Sequence, residues 1–299
     1  MKVRIGFGLG TRTRCNDEHF ASAVDALERL RFDSLWLSER VGGEAPDPVV
    51  GMAFAAGRTT RLKFGTSVLV LPGRNPVLLA KELASLDRLS GGRLLPAFGL
   101  GVADPHEQQA FGVAREERAA WFDEALPLIR RLWLEEEVDH DGPRFPLRGV
   151  RVLPKPVQQP PEVWLGGIAP SELRRVGRLG DGWLPSFVVP AEAGAGRVVV
   201  EEVAARHDRE IDPEHFGALV AYATGPVPDA WRAALAKRRP DLDPADLVPE
   251  GWDALRATIE RFVDQGFSKF VVLPLTEPDP ADLPDHLEEL AGVVLPLQT

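Results

Sequence analysis

Short apolar runs alternate with amphipathic stretches along the whole chain of 299 residues. The first run, Val3–Leu9, is typical of a strand, and apolar residues recur at helical intervals in Asp17–Leu30. About eight such units follow one another, and the last consists of Lys269–Leu273 and Ala281–Val294. Near-continuous apolar strands are typical of a parallel sheet that is buried on both faces. The pattern therefore predicts an α/β fold, a closed (β/α)₈ TIM barrel rather than an open sheet.

The alternation continues without a linker, which predicts one barrel domain over residues 1–299. Two segments interrupt it and are predicted to be insertions. The segment near 140–161 is rich in proline and reads as an irregular surface excursion. The segment near 226–250 is rich in Pro, Asp and Arg, and we expect it to be helical or a loop.

Composition excludes several functional classes. The 35 basic and 45 acidic side chains give a formal net charge of −10, which argues against a nucleic-acid partner. The single cysteine, Cys15, excludes an internal disulfide framework, and the histidine spacing predicts no metal site. No apolar run reaches the roughly 18 residues of a membrane helix, and no secretory signal is visible. We expect a cytoplasmic protein with a small-molecule ligand and no membrane partner.

A glycine-rich stretch, Gly6–Thr11, coincides with the end of the first strand, and Glu39 ends the second. This arrangement is similar to a dinucleotide-binding fingerprint. However, the third glycine would fall at Thr11 or Thr13, and the helix begins only near Asn16. A pyrophosphate would then lose its helix N-terminus, which disfavours dinucleotide binding. The glycines either admit a planar ligand at a strand end or are small residues in a tapering barrel mouth.

Two later strands also end in glycine. Gly99 and Gly101 lie at the end of the fourth strand, where they would let a ring system approach the backbone or would allow a tightly packed turn. In Trp164–Ser171 a strand ends in two glycines and a helix opens with Pro and Ser. The free backbone N–H groups of such a turn can hold a phosphate, although an ordinary β–α loop with a good cap has the same pattern.

Three residues near the predicted mouth are candidates for catalysis: Glu39, Arg40 and His106. Glu39 and Arg40 follow the second strand, at the catalytic face of this fold, where their charges would contact substrate or pair with neighbours. His106 follows the fourth strand on the same face. The chain has neither a Gly-x-Ser-x-Gly elbow nor a Walker loop, so hydrolase chemistry is not supported.

Several segments resemble one family, the luciferase-like monooxygenases. The matching motifs, in chain order, are FDSLWLSE at 32–39, GTSV at 65–68, NP at 75–76, LDRLSGGR at 86–93, WLGG at 164–167 and GDGW at 180–183. The resemblance extends from residue 1 to about 190 and is thin beyond. It is closest to the branch that uses the deazaflavin coenzyme F420, rather than to the branch that uses FMN.

The resemblance implies a TIM barrel that binds a flavin-type ring at its C-terminal mouth. A cis peptide in the third strand, here Ser67–Val68, would bulge against the back of the ring. Backbone near Gly166–Ile168 would receive the cofactor phosphate. The expected cofactor-binding residues are Thr66, Ser67, Val68, Gly99, Gly101, Gly166, Gly167, Ile168 and Ala169. A homodimer is expected from the family alone.

One position departs from the family pattern. Many members carry histidine after the acidic residue of the second strand, and here this residue is Arg40. Arginine stays protonated, so Arg40 cannot donate a proton to the ring and suits a substrate anion or a developing negative charge.

The predicted function is an F420-dependent oxidoreductase that moves a hydride between the deazaflavin and a small organic substrate, which the sequence does not identify. The alternatives are an FMN-dependent luciferase-like monooxygenase and a non-catalytic barrel that binds the cofactor. Because the chain is acidic, attraction of an anionic coenzyme requires helix N-termini and selected arginines. The arginines expected near the mouth are Arg12, Arg14, Arg40 and Arg74.

Overall fold

A computed structural model of the chain describes residues 1–13, 17–276 and 278–299. Cys15 and Arg14 lie outside the described residues. The strands are β1 (Arg4–Leu9), β2 (Ser34–Leu37), β3 (Lys63–Thr66), β4 (Leu69–Val70), β5 (Leu94–Leu95), β6 (Ala97–Gly99), β7 (Val138–His140), β8 (Leu147–Val150), β9 (Trp164–Leu165), β10 (Gly182–Trp183), β11 (Gly217–Tyr222) and β12 (Lys269–Pro274). The helices are α1 (Asp17–Leu30), α2 (Pro48–Arg58), α3 (Pro76–Ser90), α4 (Pro105–Phe111), α5 (Arg118–Leu134), α6 (Pro170–Leu179), α7 (Pro190–Arg206), α8 (Asp229–Arg238), α9 (Pro244–Leu247), α10 (Trp252–Asp264) and α11 (Leu283–Val294).

The parallel strands form a closed ring. One sheet has the order β11-β12-β1-β2-β3-β5 and the other the order β10-β9-β6-β4. β3 and β4 are the two halves of the third barrel strand, because they pair with β5 and β6, the two halves of the fourth. Parallel bridges from Trp183 to Phe216 and from Ser186 to Leu219 join the sixth strand to the seventh. The predicted (β/α)₈ barrel is therefore confirmed.

Local sequence signals explain where α2 and α3 begin and end. Asp47 and Asn75 each accept two backbone N–H groups at the start of their helix, and each is followed by proline at the first helical position. α3 ends at Gly91, whose φ of +72° is the left-handed conformation that glycine adopts without a Cβ clash.

The glycines of the first strand serve the packing of the barrel. A Cβ atom added to Gly6 would lie 2.5 Å from the Ser34 hydroxyl oxygen, and one added to Gly8 would lie 3.0 Å from a methyl group of Leu273. The first distance is shorter than real Cβ atoms show and the second is unusually tight, so larger residues would require β2 and the side chains of β12 to shift. Of the two interpretations of this stretch, small residues within a narrow barrel is the one that the structure supports.

The segment near 140–161 is more regular than predicted. β7 and β8 form an antiparallel hairpin outside the barrel, and the carboxylate of Glu124 on α5 accepts the backbone N–H groups of Arg144 and Phe145. The prediction of an irregular excursion was wrong for the hairpin, because β8 is too exposed to have an apolar pattern. The segment near 226–250 contains α8 and α9, which agrees with its helical alternative. α4 was not predicted.

The end of the barrel opposite the mouth is closed by a buried ion pair. The Lys269 ammonium donates to Asp33 at 2.6 Å, and Lys63 lies 3.5 Å from the same carboxylate. Burial alone would raise the pKa of Asp33, but the charges of Lys269 and Lys63 outweigh it and lower this pKa to about 2. Among the described helices, none is long and apolar enough to cross a membrane.

Candidate functional site

A cavity of about 630 Å³ opens at the carboxyl ends of the barrel strands. This is the end at which TIM barrels place their chemistry. Its apolar wall is formed by side chains of several strands: Val68, Phe98, Leu165, Leu184, Leu219 and Leu273. Charged side chains also line it: Glu39, Arg40, Glu107, Glu172, Arg175, Arg238 and Arg239. The cavity thus joins an apolar interior to a charged rim, as small-molecule sites commonly do.

The wall of the cavity is formed at the break in the third strand. The peptide bond between Ser67 and Val68 is cis, which confirms that expectation. The Val68 side chain lies against Gly99 and Gly166, since a Cβ atom added to Gly99 would be 2.5 Å from a Val68 methyl and one added to Gly166 would be 3.6 Å away. Gly99 is therefore small to admit Val68, and the wall offered to a ligand is a valine side chain rather than bare glycine backbone.

The other glycine of the fourth strand, Gly101, makes a turn. Its φ is +81°, and an added Cβ atom would lie 2.9 Å from the buried guanidinium of Arg118. Arg118 donates to the carbonyl oxygens of Leu100 and Val102 at 3.0 and 3.1 Å. The loop at the edge of the cavity is therefore held from behind by a buried side chain.

Residues of the second strand hold the break in the third strand in place. The Ser38 hydroxyl donates to the Ser67 carbonyl oxygen at 3.1 Å. The Glu39 carboxylate accepts the Val70 N–H at 2.6 Å and forms an ion pair with Arg74, which in turn donates to the Val70 carbonyl oxygen. These contacts connect the two strands on both sides of the cis peptide.

Glu39 is almost completely buried, with 6% of its side chain exposed. Burial raises its pKa, and the Arg74 charge and the Val70 N–H counter this only in part, so the pKa stays above its ordinary value. Because one oxygen is bonded to Arg74 and the other to backbone, this carboxylate supports the cavity wall.

The two other catalytic candidates have different positions. The Arg40 guanidinium lines the cavity, donates to Asp104 at 2.8 Å and lies 3.6 Å from Glu107. Glu107, which is 6% exposed, also accepts the N–H groups of Val41 and Gly42. The His106 side chain is exposed on α4 and is not among the residues that line the cavity. The structure therefore brings Glu39 and Arg40 to the cavity but not His106.

The turn after β9, the fifth strand of the barrel, already binds a carboxylate of the protein. Glu172 accepts the N–H groups of Ile168 and Ala169 at 3.0 and 2.9 Å, through one oxygen. Gly167 has a φ of +97°, and its carbonyl oxygen accepts the indole N–H of Trp183 at 2.9 Å. This turn is the predicted phosphate site, but in this structure its two converging donors are taken by the third residue of the following helix, a capping arrangement.

Most of the predicted cofactor-binding residues do line the cavity: Ser67, Val68, Gly99, Gly101, Gly166, Gly167 and Ile168. Thr66 lies deeper, where its hydroxyl donates to the Ala97 carbonyl oxygen at 2.6 Å and ties the third strand to the fourth. Ala169 is exposed outside the cavity. Among the described residues, no cluster of His, Cys, Asp and Glu could hold a metal ion.

The arginines near the mouth are mostly not those expected. The Arg12 guanidinium stacks on the Trp231 ring at 4.4 Å, and Arg74 is paired with Glu39. Arg40 is at the cavity, and Arg14 lies outside the described residues. Three further cavity arginines were not predicted: Arg175 on α6, and Arg238 and Arg239 at the end of α8. These arginines come from segments without a recognisable motif. The basic end of α8 was the one sequence signal that could have pointed to them.

Comparisons with known proteins agree with this architecture. Residues 11–266 match the family model described as luciferase-like monooxygenase. The chain is 30% identical, over 253 residues, to a Mycobacterium tuberculosis protein described as a coenzyme F420-dependent oxidoreductase; the match covers 80% of this chain and 71% of that protein.

Solved structures with the same fold include proteins with either cofactor. The coenzyme F420-dependent tetrahydromethanopterin reductase of Methanopyrus kandleri superposes with a TM-score of 0.80, 18% identity and full coverage of both chains. The oxygenating constituent of 3,6-diketocamphane monooxygenase of Pseudomonas putida, in complex with FMN, superposes with a TM-score of 0.77, 18% identity and 99% coverage of both chains. At such identities the likeness establishes the fold.

Proposed function

Because the chain belongs to the luciferase-like monooxygenase family, we propose that it is a coenzyme F420-dependent oxidoreductase acting on a small organic substrate. The observation that carries the proposal is the cavity at the barrel mouth, whose wall is Val68 at the cis peptide of the third strand. The similarity to the M. tuberculosis protein, which spans 71% of that protein, supports the choice of cofactor.

The cavity is suited to a flat, mostly apolar ring. Its volume of about 630 Å³ lies in the range of cofactor and ligand sites. One side is the Val68 side chain, and Phe98, Leu165 and Leu184 continue the apolar surface. Backbone of Gly101 and of Gly166–Ile168 lies at the edge, where polar parts of a cofactor would be bound.

When bound, the deazaflavin supplies a ring carbon that exchanges a hydride with the substrate. The protein's own part is to place the two partners and to exclude water. Val68 would support one face of the ring, and Ser38 and Glu39 would keep that support in place through their hydrogen bonds to the third strand. In this assignment Glu39 is a positioning residue.

Arg40 contributes positive charge at the rim, moderated by Asp104 and Glu107. Because a guanidinium does not release its proton at ordinary pH, Arg40 would stabilise negative charge and would not act as a proton donor. A catalytic role for His106 stays a prediction that requires α4 to move, since its side chain faces solvent.

The FMN-dependent monooxygenase is a second candidate, favoured by the fold shared with the FMN-bound P. putida protein. Titration of the purified protein with each cofactor separates the two. We expect coenzyme F420 to bind at micromolar concentration, with a change in deazaflavin fluorescence, and FMN to bind more weakly. Preferential binding of FMN would overturn the proposal.

A substrate panel then distinguishes an enzyme from a barrel that only binds the cofactor. Reduced or oxidised F420 would be mixed with alcohols, ketones and enones, and deazaflavin absorbance would be followed. We expect turnover with at least one class. Tight F420 binding without turnover across the panel would favour the non-catalytic alternative.

We further propose that the chain is one barrel domain over residues 1–299, that it works as a homodimer and that it is cytoplasmic. The homodimer is expected from the family. Light scattering coupled to size-exclusion chromatography tests it, because a dimer would have twice the chain mass of 32.7 kDa.

A further inference from the structure

Among the described residues, one arginine that lines the cavity has no ion-pair partner. Of the cavity arginines, Arg40 pairs with Asp104, Arg175 with Asp123 at 2.7 Å, and Arg239 with Glu192 and Asp241 at 2.9 and 2.7 Å. The Arg238 side chain lines the same cavity and has neither an ion pair nor a hydrogen bond within the described parts of the chain.

Arg238 is nevertheless held in a defined place. Its guanidinium lies 4.2 Å from the centre of the Phe187 ring. Phe187 has a φ of +56°, and its carbonyl oxygen accepts an N–H of Arg239 at 2.6 Å. Arg239 is 7% exposed and is itself fixed by two carboxylates. A cation–π contact with a ring does not use up the N–H groups of a guanidinium as hydrogen-bond donors.

The acidic residue that acts on Arg238 among the described residues does not form an ion pair with it. Glu172 attracts it electrostatically but lies beyond ion-pair distance, and the Glu172 carboxylate already accepts two backbone N–H groups. Partial desolvation by the surrounding protein lowers the pKa of Arg238, although its side chain is exposed to solvent and an arginine remains protonated at ordinary pH. A solvent-accessible cation at the edge of a ligand cavity, whose N–H groups have no partner among the described residues, is a receptor for an oxyanion.

We propose that Arg238 binds an oxyanion, a carboxylate or a phosphate, of the molecule that occupies the cavity. The inference rests on the proposed function, because it concerns the same cavity. The oxyanion has two possible sources: the phosphate of the cofactor and an acidic group of the substrate. In the second case the substrate of this protein is an organic acid.

The test compares Arg238→Gln with Lys237→Gln. Both variants remove one positive charge from the same end of α8, and Lys237 is exposed and does not line the cavity. The first arm measures binding of F420 and of its phosphate-free ring by deazaflavin fluorescence. If the source is the cofactor, Arg238→Gln weakens binding of F420 about tenfold or more and leaves binding of the phosphate-free ring unchanged. Lys237→Gln changes neither affinity.

The second arm uses the F420-loaded protein and a matched pair of probes, phenylacetate and phenylacetamide, in titration calorimetry. If the source is the substrate, the wild type binds phenylacetate more tightly than phenylacetamide. Arg238→Gln then weakens binding of phenylacetate about tenfold or more and does not affect binding of phenylacetamide. The proposal is overturned if Arg238→Gln has no selective effect on either F420 or the acid, or if Lys237→Gln has the same effect. Arg238→Lys, which keeps the charge, checks that the loss is electrostatic.

Sulfate binding to the cofactor-free protein separates this inference from the proposed function. Saturable sulfate binding in the wild type and Lys237→Gln, lost in Arg238→Gln, supports the oxyanion site even if neither F420 nor FMN binds. Absence of sulfate binding in the wild type, together with unchanged affinity of Arg238→Gln for both F420 and phenylacetate, overturns the inference while leaving the cofactor assignment intact.

Discussion

The carboxylate of Glu39 and the backbone N–H of Val70 form a hydrogen bond of 2.6 Å that crosses from the second barrel strand to the third. The same carboxylate is paired with Arg74, so both of its oxygens are used within the protein. An acidic residue at the end of a barrel strand is readily interpreted as catalytic. Here its contacts assign it to the support of the cavity wall.

Substitution Glu39→Ala is expected to weaken cofactor binding and to destabilise the protein by about 3 kcal/mol, because Arg74 would remain partly buried without its partner. Urea unfolding and F420 titration measure the two effects. Glu39→Gln, which keeps an acceptor for the Val70 N–H, should lose less cofactor affinity. A Glu39→Gln protein with normal cofactor affinity but no turnover would instead indicate an acid–base role.

Substitution Gly99→Ala is expected to disturb Val68, since the added Cβ atom would lie 2.5 Å from its methyl group. Relieving this overlap should cost about 1–3 kcal/mol of stability and reduce cofactor affinity. Gly57→Ala is the matched control, because Gly57 lies in α2 with no atom within 4 Å of an added Cβ, and there alanine should stabilise slightly. Equal effects of the two substitutions on cofactor affinity would contradict the assignment of Val68 as the wall.

Substitution Glu172→Ala is expected to strengthen binding of F420 relative to its phosphate-free ring. The reason is that Glu172 occupies the N–H groups of Ile168 and Ala169, which a phosphate at this turn would need. Loss of the helix cap should cost about 1 kcal/mol of stability. Fluorescence titration with both ligands measures the ratio of affinities, and Ser171→Ala, on the same exposed turn, is the control. An unchanged ratio would show that the phosphate does not use these donors.

Low pH is expected to reduce the stability of the protein, because it protonates Asp33 at the closed end of the barrel. Its pKa is about 2 in the folded protein and 3.8 as the reference value, so the folded state binds fewer protons in this interval. The resulting stabilisation of about 2 kcal/mol is present above the reference pKa and is lost as the pH falls toward 2. Urea unfolding between pH 7 and pH 3 should show a shallower acid dependence in Asp33→Asn than in the wild type. Parallel curves would refute this account.

Helix ends that depend on neighbouring residues could be predicted from the sequence. The caps at Asp47 and Asn75 and the glycine stop after α3 depend on neighbours within a few positions, so their consequences are readable in the chain. The hairpin of β7 and β8 was not predicted, because its strands are largely exposed and lack an apolar pattern. The short helix α4 was not predicted, because its residues lack a helical apolar period.

The candidate site divides in the same way. Motif residues such as Ser67, Val68 and Gly166 lie on the cavity as the resemblance implied. Arg238 and Glu172 have no motif, and their importance depends on which partners surround them. Ion pairing is set by distances of a few ångströms between segments far apart in the chain, and a sequence pattern does not contain them.

The sequence by itself determined the barrel, because each apolar strand must be covered by an amphipathic helix and eight such units close into a ring. It also determined that the strands end near glycines at one face. Only the tertiary structure decided which charged side chains are paired within the protein and which face the cavity. Glu39, Arg40 and Glu172 are each bonded within the chain, whereas the Arg238 side chain has neither an ion pair nor a hydrogen bond in the ranges that the structure describes. Folding brings a partner to some charged groups and leaves others without one, and that difference in local surroundings decides their chemistry.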